Sequence, residues 1–231
     1  MDEVQRIKEV YGKRVEKNRG AYFHLFSSQR EKEIKEVLRK EAITSLSKKK
    51  VLDVGCGHGA VLSCFLKEGA PQKNLYGIDL VPERIAKARR LYSGISFTYG
   101  NAERLPYPDQ FFDIVTQSTV FTSILDSGMK KGMAAEMLRV LKLDGIIIWH
   151  DFRFDNPFNR NVKGIGKREI IGLFSGCQFN FKLMNLNPVV AKPLTEISLR
   201  WCEILEKFPI LLTHWLVSIK RSNLKPEKTN E

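Results

Sequence analysis

The sequence predicts an α/β fold: a seven-stranded, mostly parallel, doubly wound sheet with helices on both faces, an antiparallel edge strand and helices ahead of the first strand. Three observations predict it. From residue 50 onward, short apolar runs alternate with stretches of helical periodicity. The first of those runs leads into a glycine-rich turn and then a helix, which is how a parallel strand hands the chain to its crossover. A length of 231 residues with 43% hydrophobic and 28% charged residues suits one globular domain and excludes a disordered or collagen-like chain.

Residues 1–47 read as a helical cap. Ser28 and Glu31 have the spacing of a capping box, and Ile34, Val37, Leu38 and Ala42 then share a helix face. The stretch Arg19–Phe23 ahead of it reads as a loop or short lid. Strands are expected at Val51–Val54, Leu75–Ile78, Ile95–Thr98, Phe112–Thr116 and Ile146–Trp149. Pro82 sits in a first helical turn followed by Ile85, Ala88 and Leu91. Met133, Met137, Val140 and Leu141 form a core-facing stripe, closed by an Asp144–Gly145 turn.

The main domain spans 48–221, with 153–213 building its acceptor side. After the loop at 155–161, Lys167–Phe174 reads as a helix and Cys177–Leu183 as a half-buried strand. Leu194, Ile197, Trp201, Ile204, Leu205 and Phe208 hold helical spacing, and Trp215–Ile219 is the last strand. Two strands joined by such an excursion can pair antiparallel at a sheet edge. Residues 222–231 read as a flexible tail.

Charge is unevenly spread. The net is +12, with +6 over residues 1–50, zero over 51–152 and +6 over 153–231. The basic flanks serve either solubility or an anionic partner. The N-terminus is charged from its second residue, and the longest apolar stretch, Phe208–Val217, is too short to span a bilayer, so the expected location is cytoplasmic. Cys56, Cys64, Cys177 and Cys202 have no CxxC spacing, so neither a zinc site nor a disulfide framework is expected.

The chemistry concentrates in Val51-Leu52-Asp53-Val54-Gly55-Cys56-Gly57-His58-Gly59-Ala60. A loose dinucleotide fingerprint fits Gly55, Gly57 and Ala60, but Asp53 at the strand end would repel a pyrophosphate. A second strand ends in an acid at Tyr76-Gly77-Ile78-Asp79-Leu80, and a carboxylate can accept two hydroxyls side by side. Gly100-Asn101-Ala102-Glu103 and Thr116-Gln117-Ser118-Thr119 follow at later strand ends.

This order of motifs, over residues 48–152, resembles the class I S-adenosylmethionine-dependent methyltransferases, in particular the type 11 group, and so implies a Rossmann-like methyltransferase fold. The resemblance implies S-adenosylmethionine as cofactor, held by Asp53, Gly55, Cys56, Gly57, Asp79, Leu80, Asn101, Ala102 and Gln117. In that family Asp79 takes the ribose hydroxyls, Leu80 packs on adenine, and an Asp usually stands where this chain has Asn101. The fifth strand ends at His150-Asp151, which makes His150, then Asp151, the candidate general base. No metal is required.

For the acceptor, the stretches Asn156–Asn159, Val162–Ile165 and Lys167–Ile170 are similar to a bacterial subgroup associated with glycan biosynthesis. The leading expectation is O-methylation of a small-molecule or sugar-containing acceptor, anionic or glycan-linked, with membrane-surface contact left open. Alternatives are a quinone or lipid methyltransferase, with Phe208–Leu212 approaching a membrane, a nucleic-acid binder that modifies RNA, and a non-catalytic cofactor-binding regulator. Nucleic acid is disfavoured by the absence of an RNA-binding module or an Asn-Pro-Pro-Tyr-type motif.

Overall fold

The computed structural model describes residues 2–13, 20–157 and 159–222. The expected tail beyond residue 222, and Arg19 of the expected lid, lie outside the described residues.

Two helices open the chain, α1 (Glu3–Gly12) and α2 (Ala21–Lys40). Then follow β1 (Val51–Val54), α3 (Ala60–Lys67), β2 (Leu75–Asp79), α4 (Pro82–Leu91), β3 (Ser96–Tyr99), β4 (Phe112–Ser118), α5 (Ser127–Val140) and β5 (Leu141–Phe152). The last third holds α6 (Lys167–Leu173), β6 (Cys177–Leu186), α7 (Pro188–Ile197), α8 (Leu199–Leu205) and β7 (Leu212–Arg221). The seven strands form one sheet in the order β3-β2-β1-β4-β5-β7-β6. Pairs among β1 to β5 are parallel, whereas β7 runs antiparallel to both β5 and β6. The reversed strand therefore lies one position in from the edge.

Strand alternation feeds two cores. Leu52, Val54, Ile147 and Trp149 point to one face, where Trp149 meets Phe121 at 4.3 Å and Phe174 at 5.7 Å between ring centroids. Val51, Ile114, Ile146 and Ile148 point to the other, under α3 and the second half of α2. The methionine stripe Met133, Met137 and Val140 lies on α5 and is buried in the first core. The described residues among the first 47 share the cores of the sheet, Ile7 and Tyr11 joining the first cluster and Ile34, Val37 and Leu38 the second.

Four local expectations are corrected. Ser28 does not cap a helix; it lies inside α2, and its hydroxyl donates back to the Leu25 carbonyl at 2.9 Å. Tyr22 and Leu25 pack on the α7–α8 cluster, and that tertiary contact carries the helix back through the capping signal and through Ala21–Phe23 of the expected lid. Asp144–Gly145 is not a turn between elements but lies within β5, beside a register shift in the β4 pairing. The single helix expected over 194–208 is instead α7 and α8, separated by Ser198 in an extended conformation.

That break turns Ile197, Trp201 and Phe208 outward, so the helical spacing does not mark a buried face. No described helix is long and apolar enough to cross a membrane.

Candidate active site

The carboxyl ends of the parallel strands converge on a cavity of about 680 Å³. Its floor is the β1–α3 turn. The Gly55 and Cys56 amides both donate to the Ile78 carbonyl, at 2.8 and 3.0 Å, which ties the turn to the end of β2. Gly55 has φ +71°, and a Cβ there would sit 2.3 Å from Cγ2 of Val120, so both the dihedral and the space demand glycine.

Asp79 closes the turn from the other side. Its Oδ2 accepts from the Gly57 amide at 2.8 Å and its Oδ1 from the Val81 amide at 2.9 Å. One carboxylate thereby sets the glycine turn and the start of α4, and it keeps lone pairs toward the cavity it lines.

Of the nine residues expected to hold the cofactor, Asp53, Gly55, Cys56, Gly57, Asp79, Leu80, Asn101 and Ala102 line the cavity. Gln117 does not. It is fully buried, its Oε1 accepting from the Val120 amide at 3.1 Å and its Nε2 donating to the His150 carbonyl at 3.3 Å. It shapes the turn after β4 rather than facing a ligand. Asn101 turns both ends of its amide to Glu103, accepting from its backbone N–H and donating to its carboxylate. An adenine amino group would share the Asn101 oxygen with that turn.

Asp53 carries the test of fit for S-adenosylmethionine. It is 1% exposed, and neither carboxylate oxygen has a hydrogen-bond partner among the described residues. Burial pushes its carboxyl well above the usual range; the Arg30 charge opposes the shift and the Asp79 charge adds to it. A buried, unpartnered acid on a cavity wall matches a ligand ammonium, which would pair with its ionised form.

The free protein holds Asp53 protonated well above its ordinary range, and a bound ammonium lowers that affinity for the proton. Binding therefore releases a proton, and affinity rises with pH until Asp53 ionises in the free protein. Calorimetry with S-adenosylhomocysteine in buffers of different ionisation enthalpy, run as a pH series, is expected to show this release over the range in which Asp53 of the free protein is protonated. Asp53→Asn is expected to abolish it.

The two candidate bases do not line the cavity. His150 is 3% exposed and lies behind its wall, with Nδ1 2.9 Å from the Ser118 hydroxyl and Nε2 2.8 Å from Asn185 Oδ1. Burial holds its imidazole down to about 4, the Asn185 bond opposing. Asp151 faces the other side of β5, as strand alternation requires. It accepts from the Thr122 amide at 3.2 Å and hydroxyl at 2.5 Å and from the Phe152 amide at 3.0 Å; burial raises its carboxyl to about 6. These bonds fasten the 121–123 turn to β5. Direct proton abstraction by either side chain is not the geometry found.

Several further wall residues were not among the expected site residues. Tyr22, Phe23, Phe26 and Arg30 arrive from α2, Phe152 and Phe154 from the end of β5 and the loop after it, Lys163 from the 159–166 loop, and Lys192 from α7. Ser118, at the tip of β4, also faces the cavity. The half near Asp53 and Asp79 is polar, and the half under α2 is aromatic.

Comparison with known proteins agrees with this layout. A family model described as a methyltransferase domain matches residues 45–171. A demethylmenaquinone methyltransferase of Deinococcus radiodurans is 40% identical over 110 residues, 46% of this chain and 44% of that protein. A phthiotriol/phenolphthiotriol dimycocerosates methyltransferase of Mycobacterium leprae is 29% identical over 136 residues, 54% of this chain and 49% of that protein. The matches thus span less than half of these relatives' lengths.

An S-adenosylmethionine-dependent methyltransferase structure from Archaeoglobus fulgidus superposes with a TM-score of 0.58 at 16% identity, covering 86% of this chain and 99% of that one. One from Methanosarcina mazei also gives 0.58 at 16% identity, covering 78% and 96%. At these identities the likeness is one of fold. A family match over more than half the chain, joined to a cavity floored by the glycine turn and the two strand-end acids, shows that the chain belongs to the class I S-adenosylmethionine-dependent methyltransferases.

Proposed function

We propose that this methyltransferase acts on an amphipathic acceptor of the quinol or lipid class, at an oxygen. The observation that carries this reading is the aromatic half of the cavity: Tyr22, Phe23, Phe26, Phe152 and Phe154 line it where the acceptor would lie. A sugar offers hydroxyls that such a wall leaves without partners, whereas an isoprenoid, acyl or ring system buries apolar area against it.

The surface outside supports the same reading. Arg153 donates to the Pro209 carbonyl at 3.4 Å and lies 4.1 Å from the centroid of the Phe154 ring, which brings the 208–211 turn beside the cavity. Ile210 on that turn is 82% exposed and Ile197 at the end of α7 is 77% exposed. Apolar side chains spread along the same excursion that supplies Pro188 and Lys192 to the wall suit a ligand that is itself apolar. Lys163 and Lys192 would take a polar or anionic end. The names of the relatives support the class: a demethylmenaquinone methyltransferase, a phthiotriol methyltransferase, and a fatty-acid O-methyltransferase of Mycolicibacterium smegmatis 34% identical over 115 residues.

The bound cofactor supplies a methyl group already activated on a sulfonium. The chain's residues bind and orient. Asp53 pairs with the ammonium, Asp79 takes the ribose hydroxyls while holding the glycine turn, and the rings of α2 exclude water and aim the acceptor.

Incubation with methyl-labelled cofactor tests the class. Demethylated quinols, long-chain hydroxy or carboxylic lipids, and soluble sugars and sugar phosphates are offered in parallel, followed by organic extraction. Label is expected in the organic phase; label confined to the aqueous sugar fraction overturns the reading.

A further inference from the structure

Behind the cavity wall runs a chain of polar side chains whose direction is fixed from one end. Glu206 at the end of α8, when ionised, can only accept, and Gln29 Nε2 of α2 donates to it. That fixes the Gln29 amide, so its Oε1 accepts from Asn185 Nδ2 at 2.8 Å. The Asn185 amide is fixed in turn, and its Oδ1 faces His150 Nε2 at 2.8 Å. An acceptor there requires the proton on Nε2, which leaves Nδ1 bare. Nδ1 lies 2.9 Å from the Ser118 hydroxyl, and a bare nitrogen takes that hydroxyl's single proton.

Ser118 is the one member of this chain that lines the cavity. With its proton committed behind the wall, its oxygen shows only lone pairs to whatever lies in front. The ring that commits it cannot turn freely. His214 stacks on His150 at 4.8 Å with planes 7° apart, and the Phe26 ring lies 5.6 Å away.

We infer that Ser118 is a fixed hydrogen-bond acceptor for the hydroxyl that is to be methylated, and that His150, Asn185, Gln29 and Glu206 are positioning residues that set its polarity. This rests on the proposed reading only in requiring an acceptor with an O–H to give. A hydroxyl donating to Ser118 turns a lone pair away from the wall; that pair would form the new C–O bond as the methyl–sulfur bond breaks, the bonding pair staying on sulfur to leave a neutral thioether and the hydroxyl's proton passing to solvent water. The imidazole stays neutral near pH 7, in keeping with an orienting rather than a proton-storing part.

Two measurements test it. Nitrogen-15 NMR of the cofactor-loaded protein, which has four histidines, is expected to show His150 protonated at Nε2 and bare at Nδ1. The opposite tautomer overturns the proposal, and this readout needs no acceptor. For kinetics on an acceptor methylated by the wild type, Ser118→Ala is expected to lower kcat about ten- to a hundredfold, with S-adenosylhomocysteine affinity held. Ser118→Thr, which keeps the hydroxyl, is expected to restore most of it. Full turnover by Ser118→Ala overturns the proposal. Failure of the acceptor class shows instead as no organic-phase label from the wild type, with the tautomer unchanged.

Discussion

Asp79→Ala is expected to weaken S-adenosylhomocysteine binding at least a hundredfold. The side chain is asked to do two things at once. It accepts from the Gly57 and Val81 amides at 2.8 and 2.9 Å, and it offers its remaining lone pairs to the ribose. Loss of two hydroxyl bonds to a charged acceptor costs about 3 kcal/mol or more, which is already about two decades in affinity. The two orphaned backbone donors add to that by loosening the glycine turn, so thermal stability falls as well. Asp79→Asn keeps the volume while replacing one acceptor oxygen with a donor, and is expected to fall in between. Calorimetry with the wild type as reference decides; unchanged affinity in Asp79→Ala would remove Asp79 from the site.

The second large effect is expected at Gly55. An alanine there is forced to φ +71° with its Cβ 2.3 Å from a Val120 methyl. Left-handed strain costs about 1–2 kcal/mol and overpacking about 1–3 kcal/mol, so Gly55→Ala is expected to lower stability by about 2–5 kcal/mol. For a chain of this size that is a fall in Tm on the order of 5–15 °C. Donor binding is expected to be lost with it, because the turn can relax only by moving its amides off Ile78. The double variant Gly55→Ala/Val120→Ala removes the clash and leaves the dihedral strain. Its thermal melt is expected to recover part of the loss, and a melt no different from the single variant would put the whole cost on the backbone.

That the strand-end residues expected to hold the donor would come together was legible in the sequence, because their geometry is local. Gly55, Gly57, Asp53 and Asp79 act within a few residues of strand ends that apolar runs already mark, and hydrogen bonds between neighbouring strand ends join them. Even there Gln117 misled, since a strand-end amide can serve its own turn as readily as a ligand. The part of the wall that α2 brings was not legible. Phe26 and Arg30 reach the cavity because α2 packs across it, and Gln29 meets Asn185 across 156 positions of sequence. The Ser28–Glu31 capping signal pointed to a later helix start, and only contact with α7 overrode it. His150 was identified as a residue of consequence from the end of its strand, but which atoms it touches depends on β6 and α2, whose placement no local pattern encodes.

The excursion between β6 and β7 leaves and re-enters the sheet at one place. Leu186 pairs with Leu212, and the Asn187 amide donates to the Leu211 carbonyl at 2.8 Å. Its two ends are therefore clamped whatever lies between them, and for a segment with joined ends even a doubling of length costs only about 0.6 kcal/mol of closure entropy. Pro188 and Lys192 of the acceptor wall belong to this segment, whereas Asp53, Gly55, Gly57 and Asp79 all belong to the β1 and β2 turns. Part of the cavity wall and the turns that floor the cavity thus lie on separate stretches of chain. A lineage built on this plan can rewrite, lengthen or exchange residues 187–211, and with them this part of the cavity wall, while the β1 and β2 turns stay in place.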